Sequence, residues 1–200
     1  MGVAKALFLG LIAAVPTSPA PAPKKVKIHG VKFLGSGCPR GLADVTVDAT
    51  GTLFKATFSK FIVQTGPRTK PSDWRKNCKL TINIEFDSGY QFSILETSVK
   101  GFAQIPKYAK GHYDNTFSFT GQKEQVNFGF DLMGKYEGPF DLQSNPAIIA
   151  WSPCSGSTAI LNMNTQYSLS PAHLPAFITV DSLTGKLTVE FSVQWQYCMK

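Results

Sequence analysis

The chain has 200 residues, of which 43% are hydrophobic and only 16% charged, and its formal net charge is +7. Average soluble domains contain about 25% charged residues, so this composition argues against intrinsic disorder and against a charge-rich coiled coil. The length suits one domain or two small ones, and the abundance of Thr, Ser, Gly, Phe and Val with scattered Pro is typical of an all-β, loop-rich protein.

The first 22 residues are predicted to be a secretory signal peptide. Lys5 supplies a positive charge, and residues 6–15 form an apolar run that is too short for a membrane span of about 20 residues. The prolines that follow disfavour the alternative of a buried N-terminal helix. Cleavage after Ala20 and cleavage after Ala22 both fit the small-x-small rule. Residues 23–200 are therefore predicted to form the mature, extracellular domain, and no other stretch approaches the length of a membrane span.

Short strand-like runs fill the amino-terminal half of the mature chain. Alternation of apolar and polar residues is cleanest over residues 79–86, which predicts a half-buried strand. Residues 65–73 hold one Gly and two Pro and are predicted to be a loop. The predicted strands of this half are, in order, 27–34, 44–48, 53–61, 79–86, 90–95 and 98–105.

The carboxy-terminal half continues the pattern. Residues 107–114 are predicted to contain at most one helical turn, and residues 136–146 are predicted to be a loop. The last strand is the most regular, because six apolar residues alternate with polar ones from Leu187 to Tyr197. The predicted strands of this half are 115–120, 125–132, 147–151, 159–168, 176–180 and 187–197, with a turn at 181–185.

Many short strands separated by turns indicate a β-sandwich or a closed sheet. Because neither a linker nor an internal repeat interrupts the mature chain, we expect one all-β domain, an antiparallel β-sandwich. Its four cysteines lie in the exported part, where disulfides are the default. Three pairings are open. We favour Cys38–Cys78 and Cys154–Cys198, which would close loops of similar length and staple the sandwich twice.

The sequence contains no recognisable catalytic or metal-binding constellation. His112 lies near Asp114 and is the best candidate for a general base, but no G-x-S-x-G motif accompanies it. The three histidines lack metal-ligand spacing, and no motif selects a pair of carboxylates for glycoside hydrolysis. We therefore expect a non-catalytic protein without a metal or another cofactor, and interpret His112 as a surface loop residue.

Binding is the remaining interpretation. Trp74, Tyr108 and Tyr113 lie in segments predicted to be loops, where aromatic rings would stack on sugars or dock on a protein, and His112 belongs to the same loop as the two tyrosines. Trp151 and Trp195 lie on apolar runs and are predicted to be core. Loss of Lys5 with the signal leaves a net charge of +6, which favours acidic partners. Nucleic acid is not expected, since the cations are not clustered, and neither is a membrane.

Short motifs follow one another along the mature chain at Gly35–Pro39, Arg75–Leu80, Gly89–Ser93, Lys100–Gly101, Phe128–Pro139, Trp151–Cys154, Leu161–Asn164, Val180–Ser182 and Trp195–Cys198. This ordered set resembles a family of small secreted, mostly fungal, cysteine-containing proteins that share domain of unknown function 4360. The resemblance covers nearly the whole mature chain and supports secretion and two disulfides, but it implies no catalytic residues.

This resemblance predicts a fungal effector that binds an extracellular host protein and inhibits a papain-like cysteine protease. Three proline-containing loops, at residues 66–75, 106–115 and 170–175, are candidates for the docking surface. The alternative function is binding of a cell-wall polysaccharide. That alternative predicts that the protein sediments with insoluble chitin, glucan or pectin.

Overall fold

The computed structural model describes residues 20–154, 156–179 and 184–198. These residues form twelve β-strands and one four-residue helix. The strands of the first half are β1 Val26–Leu34, β2 Ala43–Val47, β3 Leu53–Phe58, β4 Val63–Thr65, β5 Arg75–Phe86 and β6 Tyr90–Ile105, with helix α1 Pro71–Trp74 before β5. The strands of the second half are β7 Lys110–Phe119, β8 Gln125–Met133, β9 Tyr136–Ser144, β10 Thr158–Ser170, β11 Ala176–Thr179 and β12 Leu187–Tyr197.

The strands form two antiparallel sheets. The five-stranded sheet has the order β1-β5-β10-β7-β8. The seven-stranded sheet has the order β2-β3-β12-β6-β11-β4, and β9 pairs with β6. Strand β10 therefore lies between β5 and β7, although about 70 residues of chain separate it from β5 and about 40 from β7. The predicted all-β fold of antiparallel sheets is confirmed.

A core rich in aromatic side chains fills the space between the sheets. Phe117 of β7 contacts Phe191 of β12 with a ring-centroid distance of 5.1 Å, and Phe86 of β5 contacts Trp195 of β12 at 5.2 Å. Each pair joins one sheet to the other, as expected where two inner faces interdigitate. The indole Nε1 of Trp195 donates a hydrogen bond of 3.0 Å to the carbonyl of Gly51. Burial of Trp195 confirms its predicted place in the core.

Two disulfides join the pairs that we favoured, Cys38–Cys78 and Cys154–Cys198. Their Cα atoms are 5.5 and 5.6 Å apart, within the usual range for a bridge. The first bridge is fully buried and holds β5 to the connection between β1 and β2. The second lies nearer the surface and ties the end of β12 to the segment before β10.

The prediction of a loop at residues 106–115 is wrong, because residues 110–115 belong to strand β7. The Gly at position 111 suggested a loop, but it is a packing residue. A Cβ atom there would lie 2.8 Å from Ile178 Cδ1 and 3.0 Å from Ile105 Cδ1, so a larger residue would make these isoleucine side chains shift. Tyr113 consequently points into the core.

The predicted loop at residues 136–146 is also wrong, because β9 spans most of it. Gly138 and Pro139 suggested a loop, yet proline is tolerated on an edge strand, where its missing N–H need not pair. Phe140 is buried and Leu142 is half-buried on the same side of β9, and both face the core. The strand pairs with β6 from Thr97 to Ile105.

Three smaller differences concern strand ends. Residues 147–151 form no strand, and only a single bridge joins half-buried Trp151 to Ser93. Strand β4 arises just before the predicted loop at residues 65–73, because it pairs with β11. The two predicted strands at 90–95 and 98–105 are one continuous strand, β6, which is long enough to pair with β12, β11 and β9.

Parts of two predictions lie outside the described residues. Of the predicted signal peptide, residues 1–19 are not described, while the backbone N–H of Ala20 donates a 2.9 Å hydrogen bond to the carbonyl of Trp195. Most of the predicted turn at 181–185 is likewise outside the described part. Within the described ranges, no helix is both long and apolar enough to cross a membrane.

Candidate functional site

The outer face of the five-stranded sheet carries an unusual run of uncharged polar residues. In β10, buried residues alternate with Asn162, Asn164, Gln166 and Ser168, which point away from the core. The 13 residues of β10 include no charged side chain. Because β10 is the central strand of the sheet, these amides form the middle of the outer face.

Strand pairing places polar residues from neighbouring strands beside these amides. Asn162 lies opposite Thr81 of β5 on one side and Ser118 of β7 on the other. Asn164 lies in the same way between Lys79 and Thr116. Two rows of side chains therefore cross the sheet, and residues directly opposite each other are close enough to interact.

These two rows line a groove with a volume of about 460 Å³. Pockets for small ligands usually have volumes of about 300–1,000 Å³ and mostly apolar walls. This groove differs, because its side chains are mainly amides and hydroxyls, with one cation. We call it the amide groove, and its lining residues are Lys79, Leu80, Thr81, Thr116, Ser118, Gln125, Asn162, Met163 and Asn164.

Asn162 is held in place at the centre of the amide groove. Its Oδ1 accepts a hydrogen bond of 3.2 Å from the hydroxyl of Thr81, and its Nδ2 donates one of 3.0 Å to Thr120 Oγ1. An amide can donate two hydrogen bonds and accept two, so each end of the side chain keeps capacity for a ligand. The groove thus presents a preoriented donor and acceptor.

A second depression of about 360 Å³ adjoins the amide groove. The two share Thr81, and the second is lined by β1, β5 and β10. Lys32 of β1 lies opposite Thr81 and contributes a cation, while Ile160 contributes a partly exposed apolar side chain. Together the two depressions extend across most of the sheet from β1 to β8.

Two ion clusters flank this surface at opposite edges. At β1, Lys25 and His29 both contact the carboxylate of Glu85, and their hydrogen bonds lower the pKa of Glu85. At β8, Lys110 Nζ lies 2.9 Å and His112 Nδ1 lies 2.7 Å from the carboxylate of Asp131. The hydrogen bond from Lys110 lowers the pKa of Asp131 most, and the one from His112 lowers it further. Both acids on these edges are therefore neutralised locally.

His112 forms part of a row that resembles a hydrolase triad. Asp131, His112 and Ser168 occupy facing positions on β8, β7 and β10. A triad also needs backbone N–H donors aimed at a developing oxyanion. Here β7 and β10 are interior strands, so their N–H groups pair within the sheet. The arrangement gives no support to acyl-transfer chemistry.

The structure places the sequence-predicted binding residues in different surroundings. Trp74 is half-buried at the end of α1, where its Nε1 donates to Thr69 Oγ1 at 2.9 Å. Tyr108 is 78% exposed in the turn between β6 and β7, His112 is exposed in β7, and Tyr113 is buried.

Tyr113 is a correction to the prediction of an accessible loop ring. It is 1% exposed and stacks on Phe130 with a centroid distance of 4.6 Å. Burial raises the pKa of its phenol well above the ordinary value. The ring therefore belongs to the core and is not accessible to a ligand.

Sequence reasoning missed the residues of the amide groove. The available signal was the polar half of β10, where period-two positions carry Asn, Asn and Gln without a charge. A solvated strand face usually includes Lys or Glu, so the absence of charge on this face of β10 could have marked it as a candidate binding surface. In the described parts of the chain, no three His, Cys, Asp or Glu side chains are arranged as metal ligands.

The outer face of the seven-stranded sheet differs in chemistry. Glu190 of β12 accepts ion pairs from Lys55 of β3 at 3.1 Å and from Lys100 of β6 at 3.2 Å. Lys100 also lies 3.6 Å from Asp141 of β9. Burial raises the pKa of Glu190, but the hydrogen bonds from the two lysines outweigh it and lower that pKa overall. We call this run of alternating charges the ion-pair ladder.

Comparison with known proteins places this chain in a family. Residues 24–198 match the model of the domain of unknown function DUF4360. An uncharacterized secreted protein of Arthroderma benhamiae is 32% identical over 183 residues, which cover 90% of this chain and 74% of that relative. The chain belongs to the DUF4360 family, as its motifs predicted. It is a secreted, extracellular protein, consistent with its two disulfides.

Solved structures show only distant similarity. TmCBM61, solved in complex with β-1,4-galactotriose, matches with a TM-score of 0.32 and 8% identity, over 85% of this chain and 90% of that one. A family 11 carbohydrate-binding module of Clostridium thermocellum, in complex with a β-1,3-1,4-mixed-linked tetrasaccharide, matches with a TM-score of 0.26 and 8% identity, over 92% and 93%. Similarity at this level carries no functional argument, so function has to be inferred from this chain's own surface.

Proposed function

We propose that this secreted protein is a non-catalytic polysaccharide-binding protein whose binding site is the amide groove. The single observation that carries the proposal is the groove itself, a depression of about 460 Å³ on a sheet face, walled mainly by amides and hydroxyls with one lysine. Each sugar hydroxyl both donates and accepts hydrogen bonds, and amide and hydroxyl side chains match both roles.

The rigidity of the surface supports the proposal. The groove residues lie on β5, β7, β8 and β10, all held by continuous backbone pairing. A site on paired strands loses little conformational entropy when a ligand binds. The extended depression, continued past Thr81, suits several units of a chain better than one compact molecule.

The proposal is tested by sedimentation and by isothermal titration with chitin, β-glucan and pectin. The variant Asn162→Ala/Gln125→Ala removes a donor and an acceptor at each of two positions on the groove wall. We expect its affinity for the bound polysaccharide to fall at least about tenfold, since two ligand hydrogen bonds are lost.

Gln143→Ala is the matched control, because Gln143 is an exposed amide on the opposite sheet. It should bind as tightly as the wild type. Thermal unfolding of all three proteins separates loss of binding from loss of fold. If no polysaccharide binds to the folded wild type, or if both variants bind equally well, the groove is not the site.

A second candidate function, binding of a host protein, has its own supporting observation. Tyr108 projects from the turn between β6 and β7 with 78% of its surface exposed, and its backbone has a φ of 70°. Lys107 Nζ lies 4.8 Å from the centre of its ring. An exposed tyrosine in a fixed turn resembles the anchors that dominate protein interfaces.

Inhibition of a papain-like protease remains a sequence prediction within this second function. It is tested by titrating the mature protein against papain and comparing wild type with Tyr108→Ala. Inhibition that weakens at least about tenfold in the variant would support an aromatic anchor. If papain is not inhibited, the inhibitor hypothesis fails, and the polysaccharide-binding proposal is unaffected.

A further inference from the structure

We propose that the ligand of the amide groove is an anionic polysaccharide, a polyuronate, whose carboxylates are bound by Lys79 and Lys32. This inference rests on the proposed function and adds the charge class of the ligand. It makes the two lysines the residues that determine specificity, while the amides bind sugar hydroxyls.

Lys79 and Lys32 are positioned for this role by the sheet. Lys79 lines the amide groove, and Lys32 lines the adjoining depression. Lys32 lies opposite Thr81 and is therefore a diagonal neighbour of Lys79. Residues in such positions are about 7–8 Å apart. Two cations therefore border one continuous surface along the direction in which a chain would lie.

Both lysines are free to bind an external anion. Among the residues that the structure describes, no carboxylate forms an ion pair with either of them. The acids at the edges, Glu85 and Asp131, are occupied by other cations. Asp114 of β7 is two strands from Lys79, which places it about 10 Å away or more.

The absence of aromatic rings from the groove wall also favours a charged ligand over a neutral one. Sugar-binding surfaces commonly gain affinity from rings that stack on the apolar face of the sugar. None of the residues that line the described amide groove is aromatic. Charge-assisted hydrogen bonds are about twice as strong as neutral ones, so lysine–carboxylate contacts supply the affinity that stacking does not.

The opposite face shows that an exposed lysine does not by itself mark a site. Lys55 and Lys100 also point outward from a sheet, but both are paired with Glu190. The free cations of the five-stranded sheet are consistent with the predicted net charge of +6 for the mature chain and with its preference for acidic partners.

The test compares ligands that differ only in charge. Binding of the oxidised mature protein to polygalacturonate is measured beside binding to its methyl-esterified form, in which the carboxylates are neutral. Alginate serves as a second polyuronate, and chitin and β-glucan as neutral polysaccharides. We expect at least about tenfold tighter binding to the polyuronates at about 0.1 M salt, weakening towards about 1 M as charges are screened.

The lysines are tested with Lys32→Gln/Lys79→Gln, which keeps a polar, unbranched side chain one bond shorter than lysine and removes both charges. We expect at least about tenfold weaker binding to polygalacturonate and no change for the esterified form. Lys186→Gln is the matched control, because it removes one exposed cation just before β12, a strand of the other sheet. It should bind like the wild type.

The outcomes separate this inference from the proposed function. Equal binding to the charged and esterified forms, or binding to neutral polysaccharides alone, overturns the inference and keeps the polysaccharide-binding function. Preference for polyuronates that survives in the Lys32/Lys79 variant also overturns it, since net charge would then explain the preference. If no polysaccharide of either kind binds, both proposals fail.

Discussion

The outer faces of the two sheets are both exposed to water, but their side chains differ in chemistry. On the seven-stranded sheet, Lys55, Glu190, Lys100 and Asp141 satisfy one another in the ion-pair ladder. On the five-stranded sheet, the central strand β10 has no charged residue, and Lys79 and Lys32 form no ion pair with a carboxylate of the described residues. The ladder also borders a depression, of about 440 Å³, but its lysines are already paired with Glu190 and Asp141. The lysines of the five-stranded sheet are not paired in this way, so they remain available for charge-assisted hydrogen bonds to a ligand.

Because of this difference, we expect stability to depend on one face of the protein and ligand binding on the other. Changes in the ion-pair ladder should alter the free energy of unfolding and leave binding intact, and changes in the amide groove should do the reverse. The predictions below test this separation, from the largest expected effect to the smallest.

The largest effect is expected from the disulfides. Each closes a loop of about 40 residues, so replacing either pair with alanine should reduce the free energy of unfolding by about 3–4 kcal/mol in the chain-entropy model. Cys78 is adjacent to Lys79 in β5, so Cys38→Ala/Cys78→Ala should also weaken polysaccharide binding. Cys154→Ala/Cys198→Ala, at the end of β12, should not.

Guanidinium unfolding gives the stability of both double variants, and titration with polysaccharide at a temperature where each is folded gives the affinity. Equal affinity of the two variants would show that the groove does not depend on the bridge beside it.

Replacement of Glu190 should have the next largest effect. Glu190→Ala leaves Lys55 and Lys100 facing each other without their shared carboxylate, so we expect a loss of about 1 kcal/mol, measured by urea unfolding. Glu96→Ala on the same face is the control, because no ion pair to Glu96 occurs within the described chain. Polysaccharide affinity should be unchanged in both, and a binding defect in Glu190→Ala would contradict the separation of the two faces.

Acid titration should act through the same ladder. The pKa of Glu190 lies below its usual value of 4.5 in the folded protein, so folding favours the charged carboxylate. Its contribution is present at pH values above 4.5 and is lost as the pH falls through the lowered pKa. The stability difference between wild type and Glu190→Gln should therefore be largest at neutral pH and vanish in strong acid. If the stability difference instead grew on acidification, the lowered pKa of Glu190 would be refuted.

The smallest effect is expected at the edge of the five-stranded sheet. Asp131→Asn removes the partner of Lys110 and His112, but the side chains are about half exposed, so the loss should be only a few tenths of a kcal/mol. High salt should remove even this difference. A change above about 1 kcal/mol would mean that the cluster does more than neutralise the edge.

Strands with strict alternation were predicted well from sequence. Residues 79–86 and 187–197 lie in β5 and β12, because each buries one side and exposes the other. The pattern misled where glycine or proline had a packing role. Gly111 permits close approach in β7, and Pro139 occupies an edge strand, but in sequence both look like loop residues.

The candidate site could not be predicted from the sequence, for a related reason. A period of two tells which side of a strand a residue faces, but not which strand lies beside it. Thr81, Asn162 and Ser118 are neighbours only because β10 pairs between β5 and β7. Of the aromatic residues that the sequence offered instead, Tyr113 is buried and Trp74 is half-buried.

The amino-acid sequence by itself predicted the all-β class, the family and secretion, because composition, local alternation and short motifs are properties of the chain. It favoured one cysteine pairing among three, and the structure decided between them. Only the tertiary structure decided which strands adjoin, and with that the amide groove, the ion-pair ladder and the unpaired lysines. The physical reason is that sheet pairing is non-local. Residues far apart in the chain become neighbours through hydrogen bonds and a shared core that no local pattern encodes.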